Sequence, residues 1–230
     1  MMPIGSFIMT WITAQFGDAV VAATGQAGRL EMIAFVFPMA LGISLLPMIG
    51  QNFGARLYSR IHQCRRFAMR FAFFFLTTMA VLYFLLAPVF ARWFTKDPEV
   101  EKWIVLALRI VPWCFPMIEI HRYSGFFFTG CGKPAAAAWL NAFRVLGLTV
   151  PFSFLALWLG SIPGLFLART IADVLSGAVG FWLVRRLTRR FPQDGSPFGV
   201  PVEPVEGPLS LGLAGQASAQ ASLDAKSHTQ

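Results

Sequence analysis

Six apolar stretches, each long enough to cross a bilayer, fill the chain from residue 2 to about residue 187. The loops between them alternate between arginine-rich and nearly charge-free. A hydrocarbon core about 30 Å thick takes about 20 apolar residues of helix, and the stretches fall at about 3–23, 30–52, 67–92, 103–129, 135–159 and 163–184. The pattern predicts an all-α polytopic membrane protein, with a six-helix transmembrane bundle over residues 1–190. Composition agrees: 13% of residues are charged, against about 25% in soluble domains. The net charge of +8 would suit nucleic acid. However, the arginines lie in short clusters between apolar runs, where the positive-inside rule places them, and nucleic acid is not an expected partner.

The loop charges predict an orientation. Arg56, Arg60, Arg65, Arg66 and Arg70 separate the second and third stretches without an acid, Lys133 lies between the fourth and fifth, and Arg185, Arg186, Arg189 and Arg190 follow the sixth. On the alternate side, Arg92, Lys96 and Lys102 are balanced by Asp97, Glu99 and Glu101, and LGSIPG carries no charge. Six antiparallel spans then put both termini in the cytoplasm and the protein in the plasma membrane (the inner membrane of a bacterial cell). The first stretch has no Lys or Arg before Arg29. It therefore lacks the charged start of a signal peptide and reads as a retained helix. Residues 191–230 are rich in Pro, Gly, Ser and Ala and read as a disordered cytoplasmic tail. Cys64, Cys114 and Cys131 have no metal-ligand spacing and read as small apolar fillers.

Charges and helix breakers inside the spans carry the functional expectation. Pro38, Gly42 and Pro47 interrupt the second stretch, and Pro112 and Pro116 stand directly before Glu119 in the fourth. Bends of this kind persist in lipid only against protein or a wet cavity, and transporters use them as hinges. Glu119 and Arg122 on the fourth stretch, Arg144 on the fifth, and Arg169 and Asp173 on the sixth lie at similar depth. A charge at the bilayer centre costs about 2.5–3.5 kcal/mol on insertion scales, so these groups must face one another or water. Two readings stand for Glu119–Arg122 and for Arg169–Asp173: a fixed buried ion pair, or a carboxylate facing a cavity and able to exchange H⁺ or Na⁺. Glu31 either pairs with the adjacent Arg29 at the membrane surface or lines an outer vestibule. His121 reads as a packing residue and His62 as a solvated one.

No GxxxxGK[ST], HExxH or GxSxG occurs, no cysteine or histidine cluster suggests a metal, and no nucleophile accompanies Glu119 and His121. The chain is not expected to be an enzyme or to carry a resident cofactor. Thr129–Pro134, TGCGKP, reads as a turn.

The run ALGISLLPMIGQNFGA, followed by a basic loop, resembles the second-helix signature of each repeat in the multidrug and toxic compound extrusion (MATE) transporters. Gln51, Asn52 and Gly54 close that helix. The segment FPMIEIHRYSGFFFTGCGKPAAAAWLN resembles the fourth helix and following turn of that family's carboxyl-terminal half. The resemblance covers about residues 1–190. It implies one six-helix lobe of a twelve-helix antiporter that exports cationic or amphipathic drugs in exchange for Na⁺ or H⁺. Glu119 falls where the family places a coupling acid. The candidate coupling and substrate residues are Glu119, Arg122, Arg144, Asp173 and Glu31, with Glu119 the transient Na⁺ ligand if sodium is the coupling ion. The expected partners are the lipid bilayer, small organic cations and a separate amino-terminal half or a second copy, since one lobe cannot enclose a cavity alone. A lipid-linked substrate flippase, its cavity lined by Arg109, Arg122, Arg144 and Arg169, and an inactive truncated remnant are the rival readings.

Overall fold

A computed structural model describes residues 10–191. These residues form helices joined by short turns, with no strand among them. The first helix, α1, is described over residues 10–14. It is followed by α2 (Asp18–Gly54), α3 (Tyr58–Phe94), α4 (Pro98–Gly130), α5 (Pro134–Trp158) and α6 (Ile162–Arg189), each long and apolar enough to cross a membrane. The all-α, multi-span expectation is borne out. The tail expected over 191–230 lies outside the described residues except for Phe191, whose ring stacks on Tyr58 at 5.0 Å.

Two expected loops are helical. The loop predicted between 23 and 30 is helical: the chain turns at 15–17, and α2 runs unbroken from Asp18. Gly17 takes φ of 102° there, a conformation that costs glycine little. Thr24 returns its hydroxyl to the Val20 carbonyl at 2.8 Å, which satisfies the side chain within the helix. The basic segment before residue 67 is likewise the opening of α3, not a loop. At 37 residues each, α2 and α3 extend for about 55 Å, well beyond a hydrocarbon core. Hydropathy marks where a helix is apolar, not where its backbone stops.

The prolines act as expected in α4. Its α-helical turns stop at Ile110, Val111–Cys114 form a 3-10 turn, and α-helix resumes at Phe115. The start of α4 is fixed by Asp97, whose side chain accepts from the Glu99 amide at 2.9 Å. In α2, two buried tyrosines brace the stretch around Pro38. Tyr83 donates to the Leu30 carbonyl and Tyr123 to the Pro38 carbonyl, each at 2.7 Å.

The lower half of α4 is the centre of the bundle. Phe115, Pro116, Ile118, Glu119, Ile120, His121, Tyr123, Ser124, Phe127 and Phe128 are all buried, whereas Arg122, Gly125, Phe126 and Thr129 form one face that stays partly open. Helix α6 approaches it closely, and an added Cβ at Gly177 would run into the Met117 carbonyl. Two apolar cores meet along this helix. One gathers Phe35, Tyr83, Ile104, Phe115 and Ile118; the other gathers Ile49, Met69, Ile120, Tyr123 and Phe127. Glu119 sits at their seam. A third, smaller core joins Ile12 of α1 to Ala156 of α5 and Leu165 of α6.

The sequence predicts a plain helix over 135–159, but α5 is interrupted. Phe143–Thr149 is a π-helical segment between two α-helical halves. Such segments are rare and cluster at functional sites.

Candidate functional site

Glu119 is wholly buried, and its Oε2 lies 2.9 Å from Arg122 Nη1. The two side chains are one helical turn apart, which is what brings them together. The approach is close but misdirected: neither Glu119 oxygen and not Arg122 Nη1 completes a hydrogen bond. Arg122 is only partly enclosed, and its guanidinium carbon lies 5.2 Å from the centre of the Phe35 ring. The pair is therefore an ion contact without the hydrogen bonds that normally accompany a buried charge.

A second group of charges is arranged differently. Arg169 Nη2 donates to both carboxylate oxygens of Glu31 at 2.7 Å. Its Nε stands 3.8 Å from Asp173 Oδ2, and Asp173 Oδ1 accepts from Arg144 Nε at 2.8 Å. The result is an alternating chain, Glu31–Arg169–Asp173–Arg144, drawn from α2, α6 and α5. Both acids have guanidinium donors, as buried charges require. Cys114 of α4 touches the same carboxylate, with Sγ 3.9 Å from Asp173 Oδ2. The π segment carries Arg144, and Thr149 donates its hydroxyl to the Arg144 carbonyl at 3.0 Å.

The expected convergence is thus half met. Arg144 and Asp173 do come together, and Glu119 does contact Arg122. However, no ion pair or hydrogen bond joins Glu119 to the four-membered chain among the described residues. His121 is buried on the same helix as Glu119, its Nδ1 3.5 Å from the Ser176 carbonyl of α6. The Arg169–Asp173 pairing is the weaker contact of Arg169, whose main partner is Glu31. Arg29, the expected partner of Glu31, is exposed and donates instead to Gln26 Oε1 at 3.4 Å. Glu31 lies nearly four turns into α2, on the face turned to α6, a rotation that spacing within one helix cannot reveal. Arg109 also departs from expectation: it is exposed and lies over Phe84 at 5.9 Å, away from the other three arginines.

Sequence reading missed the π segment and the role of Cys114. The first leaves its mark in the structure, where the Thr149 hydroxyl reaches back five residues instead of the usual four. Beside Glu31 and Arg169 lies a void of about 10 Å³, walled by Thr24, Leu108, Phe115 and Phe166, which is room for about one water.

The family model described as MatE matches residues 1–155. Over 185 residues the chain is 26% identical to a FAD transporter of Shewanella oneidensis, an alignment covering 80% of this chain and 41% of that protein. It is 22% identical over 179 residues to an uncharacterised transporter of Saccharomyces cerevisiae, covering 77% of this chain and 26% of the other. The crystal structure of the Vibrio cholerae MATE transporter VcmN in its bent form superposes with a TM-score of 0.78 at 29% identity, over 81% of this chain and 43% of that one. A transporter of the MOP superfamily from Pyrococcus furiosus superposes equally well, TM-score 0.78, at 21% identity, a likeness of fold alone. The chain spans less than half the length of each of these relatives.

Proposed function

We propose, from the premise that this chain belongs to the MatE family and is a multi-pass membrane protein with a transporter fold, that it forms one lobe of a secondary antiporter whose coupling acid is Glu119. The substrates in this reading are cationic or amphipathic drugs. The membrane is the plasma membrane, with both termini in the cytoplasm. A separate amino-terminal half or a second copy completes the cavity.

The observation that carries the proposal is the state of Glu119: wholly buried, touched by one guanidinium and, among the described residues, without a hydrogen-bond donor. A carboxylate so placed gains a partner by taking up a cation. Of the two coupling ions, the proton suits the site better. Sodium would need several oxygen ligands, and here it would sit against the positive charge of Arg122, with no other carboxylate bonded to Glu119. A proton needs one oxygen. Protonation also frees Arg122, which is partly enclosed and able to swing.

The test is transport into vesicles carrying the reconstituted protein, with an imposed proton or sodium gradient and ethidium as the cation. Gradient-driven uptake that disappears in Glu119→Gln supports the assignment. Coupled uptake that survives in Glu119→Gln removes it.

A second reading takes an anionic aromatic substrate. It is favoured by the relative named as a FAD transporter and by the Arg122 guanidinium lying over the Phe35 ring, a pairing suited to phosphates beside a flavin. The same vesicles loaded with FAD separate the two. The lipid-flippase reading loses one of its four arginines, because Arg109 lies elsewhere.

A further inference from the structure

The basic end of the bundle holds a group of charges that the ion pairs leave unused. Helix α3 opens with Arg60, Arg65, Arg66 and Arg70, and α6 closes with Arg185, Arg186 and Arg189. Among the described residues none of these has an acidic partner within ion-pair distance. They also crowd one another. Arg65 lies in the field of Arg66 on its own helix and of Arg185 and Arg189 across the helix gap, and His62 lies in the field of Arg65 and Arg66. Arg65 Nε and His62 Nε2 are buried without hydrogen-bond partners. Like charges gathered around unpaired donors are unfavourable unless an anion joins them.

An open groove of about 530 Å³ begins at this cluster and runs along α3. Gln63, Arg66 and Arg70 line its polar mouth, and Phe67, Phe71 and Phe75 continue it toward the apolar middle of the helix. These three rings form a ladder, with Phe67 on Phe71 at 6.3 Å and Phe71 on Phe75 at 5.4 Å, nearly parallel in both pairs. Arg66 and Arg70 are four residues apart and so share this face.

We propose that this groove binds an anionic phospholipid, its headgroup phosphate between Arg66 and Arg70 and one acyl chain along the phenylalanine ladder. Guanidinium forks match phosphate oxygens, and the remaining arginines add attraction at short range. Arg66 and Arg70 both precede Phe71, Phe74 and Phe75, so the groove passes from a charged end, which also holds Phe67, to a wholly aromatic one, as an amphiphile entering from the membrane surface requires. A free phosphate would use the mouth and leave the ladder empty. The positive-inside rule explains why arginines occur at one end of the bundle, but not why two of them line the mouth of a groove floored by stacked rings. The site is independent of the transport assignment, since it shares no residue with the Glu119 pair or the four-membered chain.

The experiment uses the full chain reconstituted in phosphatidylcholine vesicles with a minor fraction of phosphatidylglycerol, extracted in detergent and weighed by native mass spectrometry. An arginine near an anionic surface is worth about fivefold in affinity, so Arg66→Gln with Arg70→Gln is expected to weaken phosphatidylglycerol retention by about thirtyfold. Arg60→Gln with Arg190→Gln removes the same charge from exposed positions that do not line the groove; screened and out of contact with the headgroup, the pair is expected to change retention by about fivefold at most. Equal losses in the two double variants would overturn the proposal, since binding would then follow net charge alone. So would displacement of the lipid by soluble glycerol phosphate, which would mark a free-phosphate site. Phe71→Ala, which shortens the ladder and keeps every charge, supports the proposal if retention falls and opposes it if retention is unchanged. All three sets alter exposed or half-exposed side chains, and circular dichroism confirms that each variant is folded.

Discussion

The two buried charge groups of this bundle face the same problem and meet it in opposite ways. In the chain Glu31–Arg169–Asp173–Arg144, charges alternate across three helices and the carboxylates accept guanidinium hydrogen bonds of 2.7–2.8 Å. At Glu119, one arginine stands 2.9 Å away and no hydrogen bond forms. The first arrangement ties helices together; a proton or an ion entering it would have to break bonds already made. The second holds a carboxylate ready to receive something. Burial alone does not tell a strut from a switch, but the fate of each lone pair and each N–H does.

Substitutions can break or sharpen that contrast. The largest effect is expected from Glu119→Gln in gradient-driven uptake, which should fall to the level of empty vesicles. Its melting in detergent should fall by about 1–2 kcal/mol, because the ion contact is lost but the amide oxygen can still accept from Arg122, which is 32% exposed. Arg169→Met should do the reverse. It leaves Glu31 without a partner and costs about 3 kcal/mol in thermal unfolding, the low end for a buried pair because Arg169 is 28% exposed. If Arg169→Met melts like the parent, the chain is not the strut described. Gly177→Ala presses α6 against the Met117 carbonyl, two residues before Glu119 and one turn past Asp173, so it touches both groups. A loss of about 1–3 kcal/mol is expected, read by the same melting experiment. The smallest change is Tyr123→Phe, which removes the bond to the Pro38 carbonyl. About 1 kcal/mol is expected from the melting curve, with transport retained.

Much of this was legible in the residues. The apolar runs place the spans, Pro112 and Pro116 mark the break in α4, TGCGKP marks the turn between α4 and α5, and a spacing of three brings Glu119 to Arg122. Gly132 takes φ of 73° in that turn, as a glycine can. What could not be read has physical reasons. The start of α2 depends on one glycine torsion at Gly17, while hydropathy is silent about backbone once a helix leaves the hydrocarbon. Glu31 pairs with Arg169, 138 positions away, because helix rotation in the folded bundle decides which side chains meet. His62, read as solvated, is half-buried, with its Nε2 covered.

The π segment has a consequence for the whole of α5. Within Phe143–Thr149 each backbone ring spans five residues instead of four. A helical wheel drawn from Pro134 therefore goes out of phase by the time it reaches Val150, by about 100° for each surplus residue. The two halves are keyed to different walls: Leu140 packs into the core around Tyr123 and Phe127, whereas Ala156 packs against Ile12 and Leu165. Removing one residue from this stretch would re-index the upper half and turn its small-residue side away from α1, even though hydropathy and length would scarcely change.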